Sequence, residues 1–461
     1  MMPKKRAGKT MGSVRHAAVS SLLIICACSL LGCATTGGDM TRDYQPAHQY
    51  VSGNPADRGY KFQEASQFIE FCVDLDSQDD RMTAPDNPHF VAQINPLLWN
   101  PVYDSRMAVA QDVVDFKAHG ETPQNSHWAK LYREIIGRVG QHPPSEWTTQ
   151  ALSKDPRYNG FGPYQSAWVL YEGRNENAGS YAIAIRGTVL SALPSVVEDA
   201  LFHPVVAKHF LNPAVSFAGF NDASLHSGFA HATFSLLLDD RYGILRVLHD
   251  RAIQANTHLY IVGHSQGAAM ASLTHAFFHY AMLNATEANN PFDLYGKNLK
   301  LKSYAFAQPK PGNFAFAADF ASITQETDNA IVINNDIDPV PQVPLTLQDL
   351  GDIDGDIPGS SLGAKALHFV SGIGSGFRGA IGRIAEPFVK KDDAGYGYYF
   401  NYSQLGSIGE DQTASSWNFM AAGHVILVFG KPGDGREPFL QHHAWVYRDL
   451  IKEQLQGISA N

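Results

Sequence analysis

The stretch His258-Leu259-Tyr260-Ile261-Val262-Gly263-His264-Ser265-Gln266-Gly267-Ala268-Ala269-Met270-Ala271 carries two patterns back to back. Leu259 to Val262 is a short apolar, β-branched run of the kind that forms a buried strand. Gly267 to Ala271 is a run of small and apolar residues that suits a helix packed closely on a sheet. Between them stands Gly263-x-Ser265-x-Gly267, with no room for a loop. A strand that turns straight into a helix through this pattern is a nucleophile elbow. The turn forces Ser265 into a strained backbone region and lifts its hydroxyl above the sheet. Glycine is required at 263 and 267 because a side chain there would strike a neighbouring element. The N–H of Gln266, at the start of the helix, points at the place where an oxyanion would develop.

Outward from the elbow the texture is that of alternating strands and helices. Apolar runs at Ala167 to Tyr171, Tyr181 to Ile185, Leu301 to Phe306 and Ala330 to Ile333 accompany Leu259 to Val262, with helical stretches between them. This predicts an α/β domain over 166–461, with a mostly parallel central sheet flanked by helices. Residues 61–165 mix helical patches with Pro-rich turns, such as Trp128 to Ile136, and read as a helical extension packed on that core. Two inserts interrupt the domain. Val189 to Leu225 is apolar and carries four formal charges. Asp349 to Gly423 is rich in glycine and holds the segment Phe369 to Phe377.

A serine nucleophile needs a base, and the base needs an acid to orient it. In elbow folds the acid follows the serine and the histidine comes last. Val332-Ile333-Asn334-Asn335-Asp336-Ile337-Asp338-Pro339 leaves a strand and enters a Pro-rich loop. Carboxylates at the C-terminal end of a strand are well placed for the acid, so Asp336 and Asp338 both qualify. Four histidines follow: His368, His424, His442 and His443. Gln441-His442-His443-Ala444-Trp445 reads as a loop entering a last helix, which favours His442 or His443 over His424, the head of an apolar strand.

Six blocks, in order, resemble the class 3 lipases of the α/β-hydrolase superfamily. They are Ala182-Ile183-Ala184-Ile185-Arg186-Gly187-Thr188, His226-Ser227-Gly228-Phe229, the elbow itself, Tyr304 to Asn313, Asp338-Pro339-Val340-Pro341, and a terminal His-x-x-x-Tyr formed by His443 and Tyr447. The resemblance spans roughly residues 165 to 450. It implies an α/β-hydrolase fold with lid and cap insertions. It also implies a Ser265–Asp338–His443 triad, selecting Asp338 over Asp336 and His443 over His442. It implies a second oxyanion donor at Thr188 beside Gln266, and a lid in 189–225 that covers the site in water and docks on lipid. The 349–423 insert, which separates Asp338 from His443, departs from the family and has no assigned role. The implied activity is triacylglycerol lipase or a related carboxylic-ester hydrolase working through an acyl-enzyme. Phospholipase A1 or a short-chain esterase shares the machinery. A non-catalytic lipid-binding lipoprotein is the reading from a different class.

The first 33 residues hold Lys4, Lys5, Arg6, Lys9 and Arg15, then an apolar run from Ala17 to Leu31, then Leu30-Leu31-Gly32-Cys33. This resembles a bacterial lipoprotein signal, with Cys33 as the lipidated residue. Ala34 after it favours the outer membrane, and residues 34–60 read as a tether. The expected partners are thus a lipid ester and, through the anchor, a membrane. The chain carries 35 basic and 45 acidic residues, a net charge of −10. Removing the five basic residues of the signal makes the remainder more acidic still. Nucleic-acid binding, which needs a basic footprint, is excluded on that balance. Of four cysteines, Cys26 and Cys28 lie in the signal and Cys33 takes lipid. Cys72 is left as a lone thiol in an apolar pattern. Asp352-Ile353-Asp354-Gly355-Asp356 lacks most ligands of a calcium loop, and no dinucleotide or nucleotide-phosphate fingerprint occurs. Neither a metal nor a cofactor is expected.

Overall fold

The structure is a computed structural model. The residues it describes are 55–76, 91–111, 160–161, 166–187, 204–208, 210, 216–239, 241–283, 294–324, 329–338, 340–342, 419–430 and 440–459. The signal with Cys33, most of the tether, Thr188, residues 189–203 of the first insert and 349–418 of the second lie outside them.

The central sheet has seven strands: β1 (Trp99–Asp104), β2 (Trp168–Gly173), β3 (Ser180–Ile185), β6 (His258–His264), β7 (Lys300–Phe306), β9 (Ala330–Asn335) and β11 (His424–Val428). They lie in the order β1-β2-β3-β6-β7-β9-β11. The first two pairings are antiparallel, and β3, β6, β7, β9 and β11 run parallel. The strands read from the sequence recur with ends shifted by a residue or two. β1 was not foreseen. Its Trp-Asn-Pro start lacks strand alternation, and Pro101 is tolerated because the strand sits at the edge of the sheet.

A parallel sheet must be covered on both faces, and side-chain alternation divides the load. Trp168, Leu170, Ile183, Ile185, Leu259 and Ile261 point to one side. There they meet α2 (Ser227–Leu238), α3 (Ile244–Asp250), α4 (Gln266–Met282) and α5 (Phe314–Ile323). Val169, Tyr171, Ala182, Ala184 and Val262 point to the other side, against α1 (Pro55–Asp76) and α6 (Ala444–Ser459). α1 begins at Pro55, inside the stretch read as a tether. Proline costs nothing at the first turn of a helix, where its missing N–H has no partner to lose. The face of α1 turned to the sheet is aromatic: Phe71 stacks on Tyr171 at 3.9 Å, and Phe68 lies 4.8 Å from Tyr260 and 5.0 Å from Tyr304. Full burial of each such ring is worth roughly 1.5–3 kcal/mol. Cys72 is buried on the same helix.

A smaller sheet, in the order β10-β8-β5-β4, takes up parts of both inserts. β4 (Pro204–Val206) and β5 (Ser224–His226) come from the end of the first insert. β10 (Phe419–Met420) comes from the end of the second, and β8 (Gly312–Asn313) joins them. Pro204–Val206 and the last residues of 189–225 are thus built into this sheet. Asn313 fastens this sheet to α5: its Oδ1 accepts from Ser224 N–H and caps the helix at Phe316 N–H, both at 2.9 Å.

α1 and α6 are also joined by charge. Glu70, on α1, is buried; it accepts from Lys452 Nζ at 3.0 Å and from Gln93 N–H at 2.8 Å, and faces Arg448 Nη1 at 3.7 Å. Truncating one partner of a buried cluster strands the rest. Glu70→Ala is expected to cost about 3 kcal/mol, read as a lower urea midpoint with unchanged slope.

His275 supplies a pH test. It is buried on α4, its Nδ1 is 3.0 Å from Ser303 Oγ, and burial, with His279 nearby, pushes its imidazole down from 6.5 to about 3. The unfolded chain binds this proton near pH 6.5 and the folded chain does not until about 3, so the folded state is disfavoured as pH falls through that window. The slope is about 1.4 kcal/mol per pH unit. His275→Gln is expected to remove one proton's worth of slope from the acid limb of a stability–pH curve; an unchanged limb would disprove the assignment.

Candidate active site

The elbow takes the strained form that its glycines imply. Ser265 stands between β6 and α4 with φ 57° and ψ −132°, a region that side chains avoid. It is held there by its own N–H, which donates to Phe306 O at 2.9 Å, and by its carbonyl, which accepts from Ala268 N–H at 2.8 Å. A Cβ on Gly263 would lie 2.0 Å from Gly267 O, and one on Gly267 would lie 2.4 Å from Ile185 O. Gln266 is buried as the first residue of α4, so its backbone N–H sits at the positive end of a 17-residue helix beside Ser265.

The acid comes from the exit of β9. Asp338 is buried, and its N–H donates to Asn335 O at 3.1 Å. Its Oδ1 accepts from Val340 N–H at 2.9 Å, and its Oδ2 accepts from Tyr447 O–H at 2.7 Å. Burial, and then the adjacent Asp338 carboxylate, hold the Tyr447 phenol well above its ordinary range, so it stays a donor. Asp336 serves elsewhere: its Oδ1 accepts from Gly430 N–H at 2.8 Å and its N–H donates to Val428 O, tying β9 to β11.

The histidine differs from the expectation. His442, not His443, lies between nucleophile and acid. His442 Nε2 is 2.7 Å from Ser265 Oγ, and His442 Nδ1 is 2.8 Å from Asp338 Oδ2. Asp338 Oδ2 is an acceptor, so Nδ1 carries the proton and Nε2 is left to accept from the serine. The reason is local geometry. Leu440–His442 form a 3₁₀ turn ahead of α6. Successive side chains at a helix start diverge by about 100–120°. His442 is thereby aimed at Ser265. The carbonyl of His443 accepts from Val446 and Tyr447 N–H, and its ring lies along Trp445. Tyr447 does reach the acid, but one residue further from the active histidine than His-x-x-x-Tyr assumes.

Sequence reasoning passed over the residues that hold this arrangement. The His264 ring lies 4.8 Å from the His442 ring and 5.7 Å from Tyr447, forming a wall behind the imidazole. Gln308 is a buried hub: Nε2 donates to Ser272 Oγ and Ala422 O, Oε1 accepts from Ala422 N–H, and its N–H donates to Asn334 Oδ1. It pins the return of the second insert to the top of β7. Its block was quoted from the sequence, but nothing there marked the glutamine. Among the described residues no group of three or more His, Cys, Asp or Glu is placed to hold a metal ion.

A mostly parallel sheet carrying a strained serine elbow, with a carboxylate just past a later strand and a histidine in the turn before the helix that follows the sheet, is an α/β-hydrolase fold. Residues 182–348 match the family model for lipase (class 3). Over that segment the chain is similar to the class 3 lipases. The match includes Ser265 and Asp338 and stops short of His442. Among solved structures, a fungal lipase–inhibitor complex is 18% identical, with 53% of this chain and 77% of that chain covered and a TM-score of 0.28. M37 lipase is 14% identical, covering 65% and 81%, with a TM-score of 0.36. The native Rhizomucor miehei lipase propeptide complex is 18% identical, covering 53% and 66%, with a TM-score of 0.28. No curated protein matches the chain.

Proposed function

We propose that the chain is a serine carboxylic-ester hydrolase cleaving acylglycerol-type lipid esters, with Ser265 as nucleophile, His442 as base and Asp338 as its orienting acid. The reading rests on the continuous path from Ser265 Oγ through His442 to Asp338 Oδ2, at 2.7 and 2.8 Å, set on the strained elbow. His442 Nε2 takes the hydroxyl proton as Oγ adds to the ester carbonyl. The oxyanion accepts from Gln266 N–H and from Thr188, each donor worth roughly 3–4 kcal/mol. Collapse expels the alcohol, which takes the proton from His442, and leaves an acyl-enzyme on Ser265. Water then gives a proton to His442 and attacks the acyl carbon; collapse expels Ser265 Oγ, which takes that proton back from His442, and the fatty acid is released. Asp338 orients the ring and stabilises the imidazolium. Lipidation at Cys33 would hold the enzyme at the envelope, in the outer membrane, where its substrates lie.

The test combines labelling with turnover. A fluorophosphonate is expected to label wild type at Ser265 alone, as read by peptide mapping, and to leave Ser265→Ala unlabelled. Release from p-nitrophenyl butyrate, p-nitrophenyl palmitate, emulsified triglyceride and phosphatidylcholine then separates lipase from short-chain esterase and phospholipase A1. Folded wild type that is neither labelled nor active on any of them would return the chain to the lipid-binding reading.

A further inference from the structure

Asn335, the last residue of β9, is fully buried, and its polar groups converge on the acid and the histidine together. Its carbonyl accepts from Asp338 N–H at 3.1 Å. Its N–H donates at 2.9 Å to Tyr447 Oη, whose own proton goes to Asp338 Oδ2. Its side-chain Nδ2 donates to Gln441 O at 3.1 Å and to Gln441 Oε1 at 3.0 Å, and Gln441 is the residue just before His442. Its Oδ1 accepts from Ile337 N–H at 3.3 Å, inside the acid loop. An amide nitrogen has two protons, and both go to the one residue that leads into the base. Gly430, two residues past β11, leaves room for the pair: a Cβ there would lie 2.4 Å from Asn335 Oδ1 and 2.7 Å from Gln441 Oε1.

We infer that Asn335 is a positioning residue that locks the histidine-bearing turn to the acid loop, fixing the His442–Asp338 separation. Strand β9 and the turn at 440–442 are far apart in the chain, Asn335 and Gln441 being separated by 106 residues. Asp338 Oδ2 alone cannot set the pitch of the imidazole, because a single hydrogen bond leaves the ring free to tilt about it. The two bonds to Gln441 remove that freedom. A carboxylate at 335 would keep the shape and the Oδ1 acceptor but would face two oxygens of Gln441 in place of donating to them.

This inference rests on the ester-hydrolase reading for its catalytic consequence, though not for its structural one. The experiment uses the full chain, with Asn335→Ala, Asn335→Asp and the milder Gln441→Ala, each alone and in a His442→Ala background. Asn335→Ala and Asn335→Asp are expected to lower kcat roughly 10- to 100-fold, the scale of a small misplacement of a catalytic group. KM is expected to stay within about twofold, since no substrate contact is lost. Gln441→Ala, which removes one of the two acceptors, should fall between them and wild type. In the His442→Ala background the Asn335 effect on kcat should vanish, because it acts through that ring; a loss that persists there would mean simple destabilisation and overturn the inference. Selective ¹⁵N-histidine labelling supplies a readout free of turnover. The downfield His442 Nδ1–H signal of wild type should broaden or disappear in the Asn335 variants. If wild type proves inert on esters, this signal still decides the positioning claim while the hydrolase reading fails. An unchanged signal, or unchanged kcat in an active enzyme, would overturn it.

Discussion

Replacing His442 by Ala is expected to lower kcat by about 10⁶-fold, as much as Ser265→Ala, with the two losses not adding in the double variant. The neighbouring His443→Ala should change kcat by less than about threefold. The difference follows from one residue of turn geometry. His442 Nε2 lies 2.7 Å from Ser265 Oγ, whereas His443 gives its carbonyl to α6 and its ring to Trp445. Without His442 the hydroxyl keeps its proton at neutral pH, and among the described residues no other group bridges it to Asp338. Asp338→Ala should cost less, about 10⁴-fold, because the imidazole is misoriented rather than lost. Steady-state kinetics on p-nitrophenyl butyrate, with circular dichroism to confirm folding, checks the set. A dead His443→Ala beside a live His442→Ala would refute the geometry outright.

The second large effect is on folding. Gly263→Ala is expected to destabilise the domain by more than about 3 kcal/mol, at or beyond the usual range for overpacking. The added carbon would lie 2.0 Å from Gly267 O and 2.3 Å from Gly267 C. Both are backbone atoms inside the elbow, so no rotamer change relieves the contact. Gly267→Ala should act similarly, through a different neighbour. Its Cβ would press on Ile185 O and Arg186 O, prising the exit of β3 away from the nucleophile. Urea unfolding followed by tryptophan fluorescence measures both. A midpoint within experimental error of wild type would show that the elbow has slack the geometry denies it.

The elbow and the parallel strands were legible in the sequence because their signals are local. Gly263-x-Ser265-x-Gly267 lies between a strand pattern and a helix pattern, and each is set by residues within a few positions. Asp338 was separated from Asp336 only by resemblance, since both leave the same strand. The choice between His442 and His443 depends on where a 3₁₀ turn begins, which two adjacent identical side chains do not encode. Asn335, Gln441 and Gln308 were invisible for another reason. Each acts through partners far away in the chain, as Asn335 does with Gln441 106 residues on. β1 and the four-stranded sheet escaped because short strands carrying proline or glycine lack the alternation that marks a strand.

The clasp between α1 and α6 sets an order of events. Glu70 and Lys452 are 382 residues apart, and Ser265 and His442 are 177 apart. During synthesis the elbow and strands β3, β6, β7 and β9 are present long before the turn that bears His442, so Ser265 spends that interval without its imidazole partner. On the proposed mechanism the nascent chain could not attack an ester until the turn at Leu440–His442 had been made and brought to Ser265. Activity of that kind would then report assembly of the site, not merely of the sheet beneath it.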